Sequence, residues 1–337
     1  FRIATGKLPS IRKGDLFAEL DEKQWRQWAK HHQQRKSSTT LAKRTGTKGL
    51  EALCWALPDA VDSNDTVQMA KLFGGHVKRL RGVEKATARA AVESWLAEHG
   101  GPDVAGRSDW QFGIECLTLA HATAALAPAL DPQICNDLLT LLVTLAQESA
   151  AWDNSTHPLT RQLLSGELPL TLSCLFPEVE ACRDLAKPAR KVLSAGVVEL
   201  IDGGGEIEAH NLSIARGLLA CWTRSSAMGS ELSRSIFDKE ATNLLKSFLQ
   251  YSLAISRADG TQMLAPFEVS PSGKMFAGAV EQFGSSTERK LAKCSLPSKN
   301  NPKVPRGVKA LAPPSTNSEW ACTGLLRSSW RIDSPRL

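Results

Sequence analysis

Apolar positions recur at i, i+3, i+4 and i+7 from Thr47 to Arg257, the spacing of helices with one buried face. Leu50, Leu53, Cys54 and Leu57 form the first such face, which ends at Pro58. Asp65 stands where an N-cap belongs, ahead of a helix carrying Val67, Met69, Ala70, Leu72 and Phe73 and interrupted at Gly74-Gly75. Ala86 to His99 reads as a helix with Trp95 on its face, stopped by Gly100-Gly101-Pro102. Asp109 to Leu126 and Gln133 to Ala151 are two long helical segments, separated by the punctuation from Pro128 to Pro132. His157-Pro158 opens a short helix to Leu164, and Leu168 to Leu175 continues the series. The segment from Pro188 to Ile201, then Ser213 to Met228 and Phe237 to Ser256, complete it. Period-2 alternation is almost absent between Leu50 and Arg257. The pattern therefore predicts an all-α domain of about ten helices paired in antiparallel hairpins. A fixed repeat of roughly 34 to 47 residues is not found, so the expected architecture is an irregular α/α toroid, with an open solenoid as the alternative.

The pattern changes at both ends. Residues 1–46 are basic and rich in Ser and Thr, and read as a flexible flank. Within it, Leu16 to Lys30 carries Leu20, Trp25 and Trp28 and has the spacing to dock as a helix. Residues 47–284 form the helical domain. Residues 285–318 hold Pro297, Pro302, Pro305, Pro313 and Pro314 among Lys, Ser and Asn, the composition of a linker. Residues 319–337 are strand-like and read as the start of a truncated β-domain. The chain starts on Phe1 and stops shortly after Trp330-Arg331-Ile332, so it is expected to be a fragment, and a signal peptide upstream stays open.

Of 337 residues, 42% are hydrophobic and 23% charged, which excludes wholesale disorder. The net charge of +6 is concentrated in Arg26 to Lys48 and Lys290 to Lys309. Such flanks admit phosphate contacts, but solvated tails are the commoner case and nucleic acid is not the expected partner. No run of about 18 apolar residues occurs, so no membrane-spanning helix is predicted. The eight cysteines form no Cys-x-x-Cys pair, and His31-His32 lacks nearby acids or cysteines. No metal or cofactor is assigned.

Candidate chemistry gathers between Leu193 and Met228. Asp202-Gly203-Gly204-Gly205 turns the chain, followed by Glu206, Glu208, His210 and Asn211. The glycines are no phosphate loop, since the Gly-Lys-Ser/Thr ending and a preceding strand are missing. His210 reads either as a proton carrier or as a helix-start residue, and Asn211 either as a donor to substrate or as an N-cap. Tyr251, the single tyrosine, lies among Phe248, Leu249 and Leu253 and reads equally as a core residue. Trp152, with Asn154 and His157, lies in a polar inter-helix loop and is the best-placed tryptophan for a sugar groove.

The order of helical pairs, Pro-rich linker and opening β-region resembles the heparinase II/III-like (alginate-lyase-like) polysaccharide lyases, which join an N-terminal α/α toroid to a C-terminal β-sandwich. Asp202-Gly-Gly-Gly-Glu-Ile-Glu-Ala-His210-Asn211, with Trp222-Thr223-Arg224, resembles a toroid hairpin of that family. So does Tyr251-Ser-Leu-Ala-Ile-Ser-Arg257-Ala-Asp259-Gly260-Thr-Gln. The resemblance implies β-elimination on a uronic-acid polysaccharide in the periplasm or outside the cell. It implies His210 as base or acid, Asn211 or Asn154 as the group that neutralises the carboxylate, and Tyr251 or His157 as second proton carrier. Trp152, Glu208 and Arg257 are the implied substrate contacts. The family's Asn-His order is reversed here. The rival expectation is a non-catalytic α-helical scaffold for protein partners.

Overall fold

In the computed structural model, the described residues are 21–34, 40–56, 82–100, 109–128, 130–152, 157–230, 232, 235–257, 259–263, 273–297, 308 and 314–331. They are mostly helical, with one two-stranded sheet. The helix expected after Asp65 lies outside them. Helices α1 (Glu22–Gln34) and α2 (Thr40–Thr45) precede a 3-10 turn at Glu51–Cys54. That turn occupies the place of the first expected apolar face. Helices α3 (Gly82–His99), α4 (Trp110–Leu126) and α5 (Pro132–Glu148) follow. Asp109 caps α4 by accepting the Phe112 N–H at 2.7 Å.

Helix α6 (Pro158–Arg161) runs through a π-helical turn, Gln162–Glu167, into α7 (Leu168–Leu175). Every residue of that turn is buried. Helix α8 (Glu180–Arg183) is a single turn, and α9 (Ala186–Leu200) packs across the π turn. The approach is close: a Cβ at Gly196 would collide with the Gln162 side chain. Gln162 in turn accepts the Trp222 indole N–H at 2.9 Å. Trp222 lies on α10 (Ala215–Gly229), which packs against α7, against α11 (Lys239–Ala254) and against α12 (Gly273–Phe283). Helix α13 (Ser286–Ser295) packs on α11 and α12.

In the N-terminal flank, α1 overlaps the segment whose spacing allows it to dock as a helix, and it packs on the core with Trp28 fully buried, stacking on Phe176 at 6.2 Å and on Trp25 at 5.2 Å, while His32 faces Glu178. The C-terminal flank departs from its sequence reading in two ways. Within residues 285–318, α13 starts on a complete capping box. Thr287 N–H donates to Ser285 Oγ at 3.1 Å, and Ser285 N–H donates to Glu288 at 2.6 Å. Finally β1 (Thr316–Ser318) begins before residue 319 and pairs antiparallel with β2 (Thr323–Leu325) in the register Ser318↔Thr323. This hairpin lies against the helical body.

Candidate functional site

The glycine-rich turn after α9 is built by Asp202. Its Oδ1 accepts the N–H groups of Gly204 at 2.9 Å and Glu206 at 2.8 Å, the local bonding that makes Asp a turn residue. An isolated bridge between Ile201 and Ile207 closes the loop. Gly205 has φ +90°, and a Cβ there would collide with the Ser247 carbonyl carbon on α11. Only glycine satisfies both the torsion and the contact.

The hairpin locks onto this turn. Ser318 Oγ donates to Asp202 Oδ2 at 2.6 Å, Thr323 Oγ1 donates to Glu206 Oε2 at 2.8 Å, and Ala209 N–H donates to the Ala321 carbonyl at 2.8 Å. The Tyr251 hydroxyl joins through Thr323, and both Tyr251 and Glu206 are buried. Burial pushes the phenol up to about 12, the nearby carboxylates of Glu206 and Asp202 act in the same sense, and the bond to Thr323 opposes them. Arg327, also buried, donates to the carbonyls of Leu253 at 3.3 Å and Ala254 at 3.1 Å, capping the C-terminus of α11 where a cation is favoured.

The second segment forms a tight turn beside the first. Arg257 N–H donates to the Thr261 carbonyl at 2.7 Å, and Thr261 donates from N and Oγ1 to Asp259 at 2.8 and 2.7 Å. These bonds lower the pKa of Asp259. Gln262 Nε2 donates to the Leu212 carbonyl at 2.6 Å, and Arg216 Nη2 donates to Ser256 Oγ at 3.0 Å, so the two motif-bearing segments are in direct contact.

The residues expected to act are distributed as follows. His210 lies in the 3-10 turn Ala209–Ile214 with its side chain 72% exposed and Nε2 3.5 Å from Glu208 Oε2. Asn211 is buried and Tyr251 is enclosed by the hairpin. Among the described residues no hydrogen bond joins His210, Asn211 and Tyr251 to one another. Arg257 is exposed and its Nη1 reaches Thr261 Oγ1 at 3.4 Å. Trp152 is half-buried against the core. His157 is the N-cap residue of α6, with Nδ1 3.4 Å from Thr160 Oγ1, and desolvation lowers its pKa. Asn154 lies outside the described residues.

Sequence reading missed a second polar cluster inside the core. Arg224 on α10 donates from Nε and Nη2 to the two oxygens of Glu167 at 2.6 and 2.8 Å, and from Nη1 to the Ala52 carbonyl at 3.3 Å. Both side chains are 1% exposed. His121 on α4 is buried with neither ring nitrogen bonded. Burial, then the Arg224 charge, drives its pKa down to about 3. The signal available was an acid, Glu167, set within an otherwise apolar helical run. A bidentate, fully enclosed pair of this kind fixes how elements pack, and His121 is held neutral.

Among the described residues no three His, Cys, Asp or Glu side chains gather as a metal site, and no helix is long and apolar enough to cross a membrane. Compared with protein-family models, curated proteins and solved structures, the chain has no match.

Proposed function

We propose that the chain is the helical part of a heparinase II/III-like protein, its helical hairpins belonging to an α/α toroid, that binds a uronic-acid polysaccharide. The observation that carries this reading is the meeting of the two motif-bearing segments. Residues 202–224 and 251–262 touch through Gln262–Leu212 and Arg216–Ser256. A β-hairpin is docked on the first and, through Arg327, on the end of α11. That is the arrangement expected where a β-domain follows a toroid. The exposed Arg257 and the chain's net charge of +6 favour a polyanionic ligand.

Binding is better supported than elimination. A phenol held near pKa 12 and bonded to Thr323 is a poor base at neutral pH, which leaves exposed His210, beside Glu208, and His157, at the start of α6, as the candidate proton carriers. The test is to incubate the protein with a panel of uronic-acid polysaccharides and follow the ultraviolet absorbance of an unsaturated uronate. Binding without a rise in absorbance is the expected result. A rise abolished by His210→Ala places elimination at the glycine-rich turn, and a rise that survives it moves the chemistry elsewhere.

A second reading, a scaffold for protein partners, is favoured by two exposed apolar side chains beside the hairpin. Trp320 at its turn is 46% exposed and Leu326 just beyond β2 is 62% exposed. Indifference to every polysaccharide in the panel would select it.

A further inference from the structure

Helix α9 buries Ala189, Leu193, Gly196 and Val197 and keeps another stripe toward solvent. Lys187, Lys191, Ala195 and Val198 follow one another at i, i+4, i+8 and i+11 and so share that stripe. Both lysines are exposed, Ala195 is half-buried, and Val198 is 38% exposed. Half-buried Arg190 flanks the lysines. Among the described residues none of these three cations has an ion pair, although neighbouring arginines do: Arg161 Nη1 meets Glu199 Oε2 at 3.0 Å, and Arg183 lies 4.0 Å from Glu180. Glu199, the acid near the far end of α9, is thereby already neutralised. Asp238, brought against the helix by the bond from its N–H to Ser194, is committed to capping α11. Cations on a helix ordinarily serve an ion pair or the negative C-terminal end of the dipole. These three occupy the second, fifth and sixth positions of α9, toward the positive end, with no acid in the first turn. They do not stabilise the helix, so their purpose lies outside the chain.

We propose that this stripe of α9 is the surface along which the uronic-acid polymer lies, with carboxylates on Lys187, Lys191 and Arg190 and the apolar face of a sugar ring on Val198. This inference rests on the proposed polysaccharide reading and gives that ligand its path. The two lysines stand about 6 Å apart along the helix axis, comparable to the advance of one sugar along an extended polymer, so a linear chain of uronates can engage both. Ammonium groups on flexible stems suit a repeating polyanion better than a single fixed carboxylate. The stripe runs to the end of α9, where the Asp202 turn begins and leads to exposed His210.

The test measures equilibrium binding of polygalacturonate to the full chain in three forms: wild type, Lys187→Glu with Lys191→Glu, and Lys43→Glu with Arg44→Glu. The last pair is exposed on α2, and its reversal changes the net charge equally. In the wild type, lysine acetylation is mapped by mass spectrometry with and without polygalacturonate or single-stranded DNA. The expected result is affinity roughly tenfold or more weaker in the α9 variant, where two attractions become two repulsions, and near wild type in the α2 variant. The unfolding temperature of the α9 variant is not lowered, since acids suit the start of a helix. Polygalacturonate protects Lys187 and Lys191 from acetylation. Unchanged binding in the α9 variant, or no protection of its lysines, overturns the stripe and leaves the polysaccharide reading standing. Equal weakening in both variants is a net-charge effect and also overturns the stripe. No binding by the wild type overturns both readings, and protection by DNA alone reassigns the surface to nucleic acid. If a variant fails to fold, protection in the wild type decides.

Discussion

Two residues state the local account most sharply. Gly205 combines a left-handed backbone with a contact that no Cβ fits. Gly205→Ala is therefore expected to cost about 1–3 kcal/mol in urea unfolding, whereas a substitution at Gly203, which has open space around its Cβ position, should cost less. Tyr251 is the single tyrosine, so its ionisation can be followed by tyrosinate absorbance without interference. The expected midpoint is about 12 in the folded protein. The folded pKa lies above the unfolded one, so the folded state holds the proton more tightly. The stability from this group is fully present below about pH 10 and is lost as pH rises toward 12. A midpoint near the ordinary phenol value would show that the hydroxyl is not enclosed by the hairpin. The sequence offered both functional and packing roles for this residue among its apolar neighbours. It could not choose between them, because the enclosing residue, Thr323, is remote in the chain.

At the scale of elements, periodicity located the long helices because their buried faces repeat locally. Asp109 to Leu126 became α4 with Asp109 as its cap, and Phe237 to Ser256 holds α11. Helices α12 and α13 were legible but passed over. Met275, Phe276, Ala279 and Val280 make one helical face, and Ser285 to Glu288 spell a capping box. Their neighbourhood of Pro, Lys and Ser masked them. The π turn was not legible, since an extra residue in a helical turn leaves no distinct sequence period. What it places is testable. Glu167 ends the turn and neutralises Arg224. Glu167→Ala leaves a buried, unpaired guanidinium, and the expected loss is about 3–5 kcal/mol by urea denaturation. A loss under about 1 kcal/mol, the range of exposed pairs, would contradict the buried-pair account.

At the scale of the whole molecule, the decisive contacts join residues far apart in sequence. Ser318 reaches back 116 positions to Asp202, and Thr323 reaches 117 to Glu206. No local pattern encodes such pairing. The turn at 202–205 could be seen in advance, but its lock could not. The same lock draws polar groups from the α9–α10 connection, α11 and the hairpin into one region and encloses Tyr251, while His210 and Arg257 are exposed. That division, with exposed groups able to meet a polyanion and the phenol sealed inside, is why binding is the central claim. The most direct measurement is equilibrium binding of the protein to a uronic-acid polysaccharide and to a neutral polysaccharide of matched length, each at two salt concentrations. The account predicts saturable binding to the uronate polymer that weakens as salt rises, and none to the neutral one. Equal affinity for both polymers, or no binding to either, would contradict it.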